Sequence, residues 1–170
     1  MVYCESCSDE EVIDALEGSR SVILVGCPGC ANTCIYLRNC RDDSSPMLTI
    51  SLTGFVAVSM QGEMERMERL LSGKHRVGTF MGKYPLGILC VFDKRGRNKI
   101  MKSCKDYDAI VTLCCDGGTK SISKVMKGKK VVPAMRAVGI VSALMKTNLI
   151  FTKLSIYKDS VDVVRFTPST

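Results

Sequence analysis

The chain has 170 residues, 46% of them hydrophobic and 24% charged, with ten cysteines and a formal net charge of +7. That length suits one domain with a real core, and the balance is that of a globular protein. No uncharged apolar run reaches the ~18 residues that a membrane helix needs, and the acid-rich start lacks the basic and apolar regions of a secretory signal, so a cytoplasmic protein without a membrane span is expected.

The elements follow in chain order. Residues 9–18, "DEEVIDALEG", predict a helix: Asp9 can cap it, acids crowd its first turn and Gly18 ends it. "SVILVG", 21–26, is apolar throughout and reads as a strand buried on both faces, as in a parallel sheet. A helix follows from about Cys30 to Cys40, and "RDDSSP" breaks the chain. "MLTISLTG", 47–54, predicts a second strand. "AVSMQGEMERMERLLSG", 57–73, is an amphipathic helix with Met60, Met64, Met67 and Leu71 on one stripe, read as core. "PLGILCVFD", 85–93, predicts a third strand with Cys90 inside it, and "KRGRNK" a solvated basic turn. A short helix is expected over Lys99–Cys104. "YDAIVTLCC", 107–115, is a fourth strand, "TKSISKVMKG", 119–128, a helix and "KKVVPAM", 129–135, a fifth strand. "GIVSALMKTNLI" fits a helix or a packed loop. Alternating strands and helices predict an α/β fold: an open, mostly parallel sheet with helices on both faces. The organisation expected is a single metal-binding domain over residues 1–150, whose residues 1–8 form a cysteine-bearing segment. Residues 151–170 are expected as an arm lying on a neighbour.

Ten cysteines in a reducing compartment point to metal ligation or redox work rather than a disulfide framework. In open α/β sheets, sites form beyond the carboxyl ends of the strands. Cys27 follows the first strand directly, and Cys114 and Cys115 end the fourth. Cys30 and Cys34 are one helical turn apart on one face. Pro28 and Gly29 let the backbone bend tightly, and the helix N-terminus offers free N–H groups and partial positive charge that favour thiolate. The spacing C-x2-C-x3-C therefore supplies three ligands, Cys27, Cys30 and Cys34. A remote fourth closes the site: Cys115, or after it Cys114. Gly26, Gly29 and Gly117 shape the backbone around the bound group. Three near thiolates and a distant one suit a [4Fe–4S] cluster, and four thiolates equally suit Zn²⁺. A buried inert set, or a simple redox C-x-x-C, is the plainer reading. Cys4 and Cys7 form a second C-x-x-C, which with Cys40 or Cys104 could build a second metal site.

Other chemistry is sparse. His75 is the only histidine and is read as solvated. No nucleophile with a histidine partner is evident, which weakens hydrolase readings. There is no phosphate loop and no dinucleotide fingerprint. "DGGTKS", 116–121, could seat an anion at a helix start, though at a strand exit it reads first as a tight turn. The basic surplus carries no interleaved aromatics and no nucleic-acid partner is expected.

"ILVGCPGCANTC", "YDAIVTLCCDGGTKSI" and "KKVVPAM", in that order, resemble the small cysteine-rich subunit of acetogen-type methylenetetrahydrofolate reductase, a module also found as the C-terminal domain of fused reductases. The resemblance covers roughly residues 10–140, and Cys115 matches the family's later cysteine. "IYLRNCRDD" stands where the family has a Gly-Gly pair, and "CESC" and Cys40 are additional. The resemblance implies a non-catalytic subunit of a hetero-oligomer. It would hold an iron–sulfur or zinc site and relay electrons to a flavin carried by the partner that reduces a methylene-folate or methylene-pterin. No flavin is expected in this chain. The other functional classes are a structural zinc-binding interaction module and a thiol-based oxidoreductase or methyl-transfer accessory using Cys27 or Cys30 as nucleophile.

Overall fold

The computed structural model describes residues 1–39, 46–51, 54–82, 87–148 and 152–167. In chain order they form β1 (Val2–Ser6), α1 (Asp9–Ala15), β2 (Ser21–Gly26), α2 (Cys30–Asn39), β3 (Leu48–Ser51), β4 (Gly54–Ala57), α3 (Val58–Leu71) and β5 (Arg76–Met81). Then come α4 (Lys94–Cys104), β6 (Ala109–Leu113), α5 (Asp116–Val125), β7 (Lys130–Pro133), β8 (Met135–Ser142), β9 (Met145–Thr147), β10 (Lys153–Ile156) and β11 (Asp162–Arg165).

The protein is α/β, and its centre is a four-stranded sheet of order β5-β2-β6-β7, parallel throughout. Every residue of β2 and of β6 is buried, as their mostly apolar, Val-, Ile- and Leu-rich content suits. Asp108 fastens their amino ends together. Its Oδ2 accepts from the N–H groups of Arg20 and Ser21 and from the Ser21 hydroxyl, all within 3.0 Å. Against β2 and β5 packs α3, and the methionine stripe is indeed core: Met60, Met64, Met67 and Leu71 are all buried. A Cβ on Gly26 would meet Met64 Sδ at 2.5 Å, so the absence of a side chain there lets α3 close on the strand.

Several sequence expectations need correction. The sheet is not the only one: a three-stranded sheet β1-β8-β11 and a four-stranded sheet β4-β3-β10-β9 accompany it, and both are antiparallel. The run "GIVSALMKTNLI" is part strand because its β8 portion alternates between buried and exposed positions, a period of two rather than 3.6. The third parallel strand is β5, half exposed at the sheet edge, not 85–93. Of that segment, 85–86 lie outside the described residues and 87–93 form turns. "KRGRNK" is helical, because Asp93 Oδ1 caps the Gly96 N–H at 2.7 Å and starts α4 there. The cap of α1 is Ser8, paired with Glu11 in a reciprocal capping box, not Asp9. His75 is tied by Nδ1 to the Ser19 carbonyl at 2.9 Å.

The tail folds onto its own chain. Here β10 pairs with β3 and β9, and β11 with β8. Gly139 permits the latter, since a Cβ there would lie 2.4 Å from the Val164 carbonyl oxygen. No helix among the described residues is long and apolar enough to cross a membrane.

Candidate functional site

The parallel pairing of β2 with β6 sets Gly26 beside Leu113, and the Cys27 N–H donates to the Leu113 carbonyl at 3.0 Å. The turns "CPGC" and "CCDGG" therefore leave the same sheet end side by side, as the sequence spacing required if the strands were neighbours. Cys115 stands at the N-cap position of α5 without a side-chain capping bond, and Cys30 opens α2. Cys27, Cys34 and Cys115 are buried, and Cys30 is partly so.

Each sulfur has a distinct environment. Burial pushes the Cys27 thiol up to about 11, opposed by hydrogen bonds from the backbone at Leu89 and Gly29. Charge on Cys115 or on Cys90 would raise it further, which places those two sulfurs within electrostatic reach. Gly29 and Gly117 leave room beside the thiols. A Cβ on either would stand 3.7 Å from the sulfur of Cys27 or Cys115 respectively, ordinary contact rather than collision.

Cys4 is also present. Strand β1 pairs with β8, and Cys4 is its one buried residue. The Cys4 N–H donates to Cys34 Sγ at 3.1 Å, and the Cys34 thiol lies 3.5 Å from the Val2 carbonyl. The Cys4 thiol donates to the Val2 carbonyl at 3.9 Å, and the neighbouring Cys34 thiol, with burial, raises the proton affinity of Cys4 well above the ordinary thiol range while Cys4 lowers that of Cys34. Cys34, Cys115 and Cys30 each act on Cys4 electrostatically. A cavity of about 320 Å³ opens beside the pair, lined by Tyr3, Glu5, Arg38 and Met135 among others.

Cys90 was missed, because an apolar run read as a buried strand. It is exposed, in the turn that follows Leu89. Cys115 Sγ and Cys90 Cβ both lie 3.7 Å from the place a Gly117 Cβ would take.

The Cys114 thiol is hydrogen-bonded to Thr119 Oγ1 at 3.4 Å and raised to about 12 chiefly by burial, with charge on Cys27 or Cys115 adding to the rise. Cys7 leaves Cys4 and lies among Arg136, Glu11 and Asp116. Cys104 ends α4, at the amino end of β6, and burial raises it to about 11. It is therefore at the wrong end of the sheet to join Cys4 and Cys7. Cys40 lies outside the described residues.

Among the described residues no three His, Cys, Asp or Glu side chains are already arranged to hold a metal ion. The thiols share one sheet end without surrounding one point. As a donor set they are soft, N–H-supported sulfurs, the chemistry that suits iron–sulfur clusters and zinc. Comparison of the chain with protein-family models, with curated proteins and with solved structures finds no match.

Proposed function

We propose that this protein is a thiolate metal subunit, holding a [4Fe–4S] cluster at the carboxyl end of its parallel sheet and serving as an electron-relay and assembly partner of a flavin-dependent methylene-pterin reductase. The observation that supports the metal reading is the parallel pairing of β2 with β6, which brings the Cys27 and Cys115 turns out of the same sheet end side by side, with Cys30 and Cys34 following on α2. Of these, Cys27, Cys30 and Cys34 would hold the group, with Cys115 as the remote fourth thiol. When bound, a cluster supplies one-electron exchange, whereas Zn²⁺ would supply only cross-linking. The chain's own residues exclude water through burial of the sulfurs and orient them with backbone N–H groups. The choice of partner rests on the resemblance of "ILVGCPGCANTC" and "YDAIVTLCCDGGTKSI" to the reductase subunit.

Anaerobic purification followed by iron, zinc and acid-labile sulfide analysis tests the reading. Iron with sulfide and a visible band that bleaches on reduction are expected. Zinc without colour selects the structural module, and a metal-free, redox-active protein selects thiol chemistry. Cys34→Ser and Cys115→Ser should each abolish the bound metal, and full occupancy in both variants overturns the ligand assignment.

A further inference from the structure

Charge is unevenly placed along the chain. Between Lys94 and Lys130 stand eleven lysines and arginines against three acids. That stretch alone carries more than the whole surplus of +7, so the remainder is close to neutral. Its acids are occupied: Asp106 lies beside Lys105, Asp108 holds β2, and Asp116 Oδ2 accepts the Ala137 N–H at 2.6 Å. Elsewhere the arginines are paired, Arg66 with Asp9 and Glu63, Arg136 with Glu11 and Arg165 with Glu5. Among the described residues none of Lys94, Arg95, Arg97, Lys99, Lys120 and Lys124 has an ion pair. Helix stability does not explain the arrangement. The first turn of α4 holds no acid, so Lys94 and Arg95 meet the positive end of the helix dipole. Arg95 with Lys99 and Lys120 with Lys124 are like charges one turn apart, a destabilising spacing. A surface that works against its own helices is expected where the charge serves something outside the fold.

Residues of α4 and α5 line a cavity of about 490 Å³. Half-buried Phe92 and Val125 give it apolar lining, and exposed Lys94, Arg97 and Lys124 give it cations. Asp93 adds one carboxylate, already bonded to the Gly96 N–H. Val91, next to Phe92 in the chain, is 75% exposed. Apolar residues ringed by polar ones are the makeup of a protein interface. A groove for single-stranded nucleic acid adds a row of stacking aromatics, and Phe92 is the one aromatic lining this cavity among the described residues. We infer that the α4–α5 face is a docking surface for an acidic segment of another protein, one apolar side chain entering the cavity while flanking carboxylates pair with Lys94, Arg97 and Lys124. Complementary charge of this kind speeds encounter and fixes orientation more than it adds affinity. The cavity reaches Cys90, which lies beside the turn of Cys115 and Gly117, so a docked segment would sit near the carboxyl end of the parallel sheet. The inference stands on charge and shape and does not depend on what the thiols hold.

The test uses the full chain and labelled probes read by fluorescence anisotropy. They are a short peptide of glutamates around one central leucine, the same peptide with serine there, and a single-stranded oligonucleotide of equal charge. The leucine peptide should bind, and bind less as salt rises. K94E, R97E and K124E should each weaken it about fivefold or more, while K153E, a like reversal on β10, changes it less than about twofold. Serine in place of leucine should cost about fivefold or more. Urea melts separate a lost surface from a lost fold: K94E puts an acid at the head of α4 and should unfold at the same or a higher urea concentration than wild type. Weakening by K153E equal to that by R97E, indifference to the leucine, or tighter binding of the oligonucleotide than of the peptide overturns the inference. So does a peptide that does not bind, or binding lost only in variants that also unfold more easily.

Discussion

Asp108 is a small case of how one carboxylate holds two strands. Three donors from Arg20 and Ser21 converge on its Oδ2, and Asp108 returns its own N–H to the Ser21 carbonyl at 3.0 Å. The donors favour the ionised form, so the carboxyl is held below its ordinary range, first by the Arg20 N–H and next by Ser21. A depressed carboxylate contributes stability that is complete above the unfolded pKa of ~3.9 and is lost as pH falls through the folded value. The protein should therefore lose stability faster between pH 5 and 3 than its Asp108→Ala variant does. Urea melts across that range measure the difference. Parallel acid limbs for the two proteins would show that the carboxylate is not a source of the acid sensitivity. The thiols behave in the opposite sense: burial raises Cys27, Cys104 and Cys114, and keeps them neutral at pH 7.

At the level of elements, α3 begins without a cap of its own. Ala57 precedes it and offers no side-chain acceptor. Asn32 on α2 supplies one, its Oδ1 accepting the Met60 N–H at 2.8 Å while its Nδ2 donates to the Met47 carbonyl at 3.2 Å. Asn32 is fully buried, so Asn32→Ala leaves a donor and an acceptor without partners and should cost about 1–3 kcal/mol. Chemical denaturation would read this, and a loss of only a few tenths would mean water takes over both groups. Nothing in the sequence marks Asn32, which sits inside the cysteine spacing but works through a helix that begins 26 positions later. The same limit explains what else was and was not legible. The buried runs of β2 and β6, the methionine stripe of α3 and the one-turn spacing of Cys30 and Cys34 are local patterns, and they read correctly. The burial of Cys4 is not local, because Cys34 on α2, which lies against it, is 30 residues away. Cys90 misled because an apolar run fits a strand or a packed turn equally. The α4 start at Asp93 was hidden by a basic run that reads as solvated whether or not it is helical.

Across the whole molecule the three sheets drain into one apolar interior. The same core takes Cys4 of the N-terminal strand, Ile23 and Ile110 of the parallel sheet, Leu48 of β3 and Ile156 of β10. The last decides what the tail is for. An arm docked on a neighbour would bury its apolar residues only at concentrations that sustain the assembly, and its contribution would vanish on dilution. Ile156 is instead fully buried within its own chain, beside β3 and β9. Ile156→Ala should therefore cost about 2–5 kcal/mol, the usual loss for truncating a buried isoleucine, and the cost should be the same at every protein concentration. Denaturant melts of the two proteins over a dilution series measure this. A penalty that shrinks with dilution would mean that the strand finds its partner on another copy, and that the core closes only in the assembly.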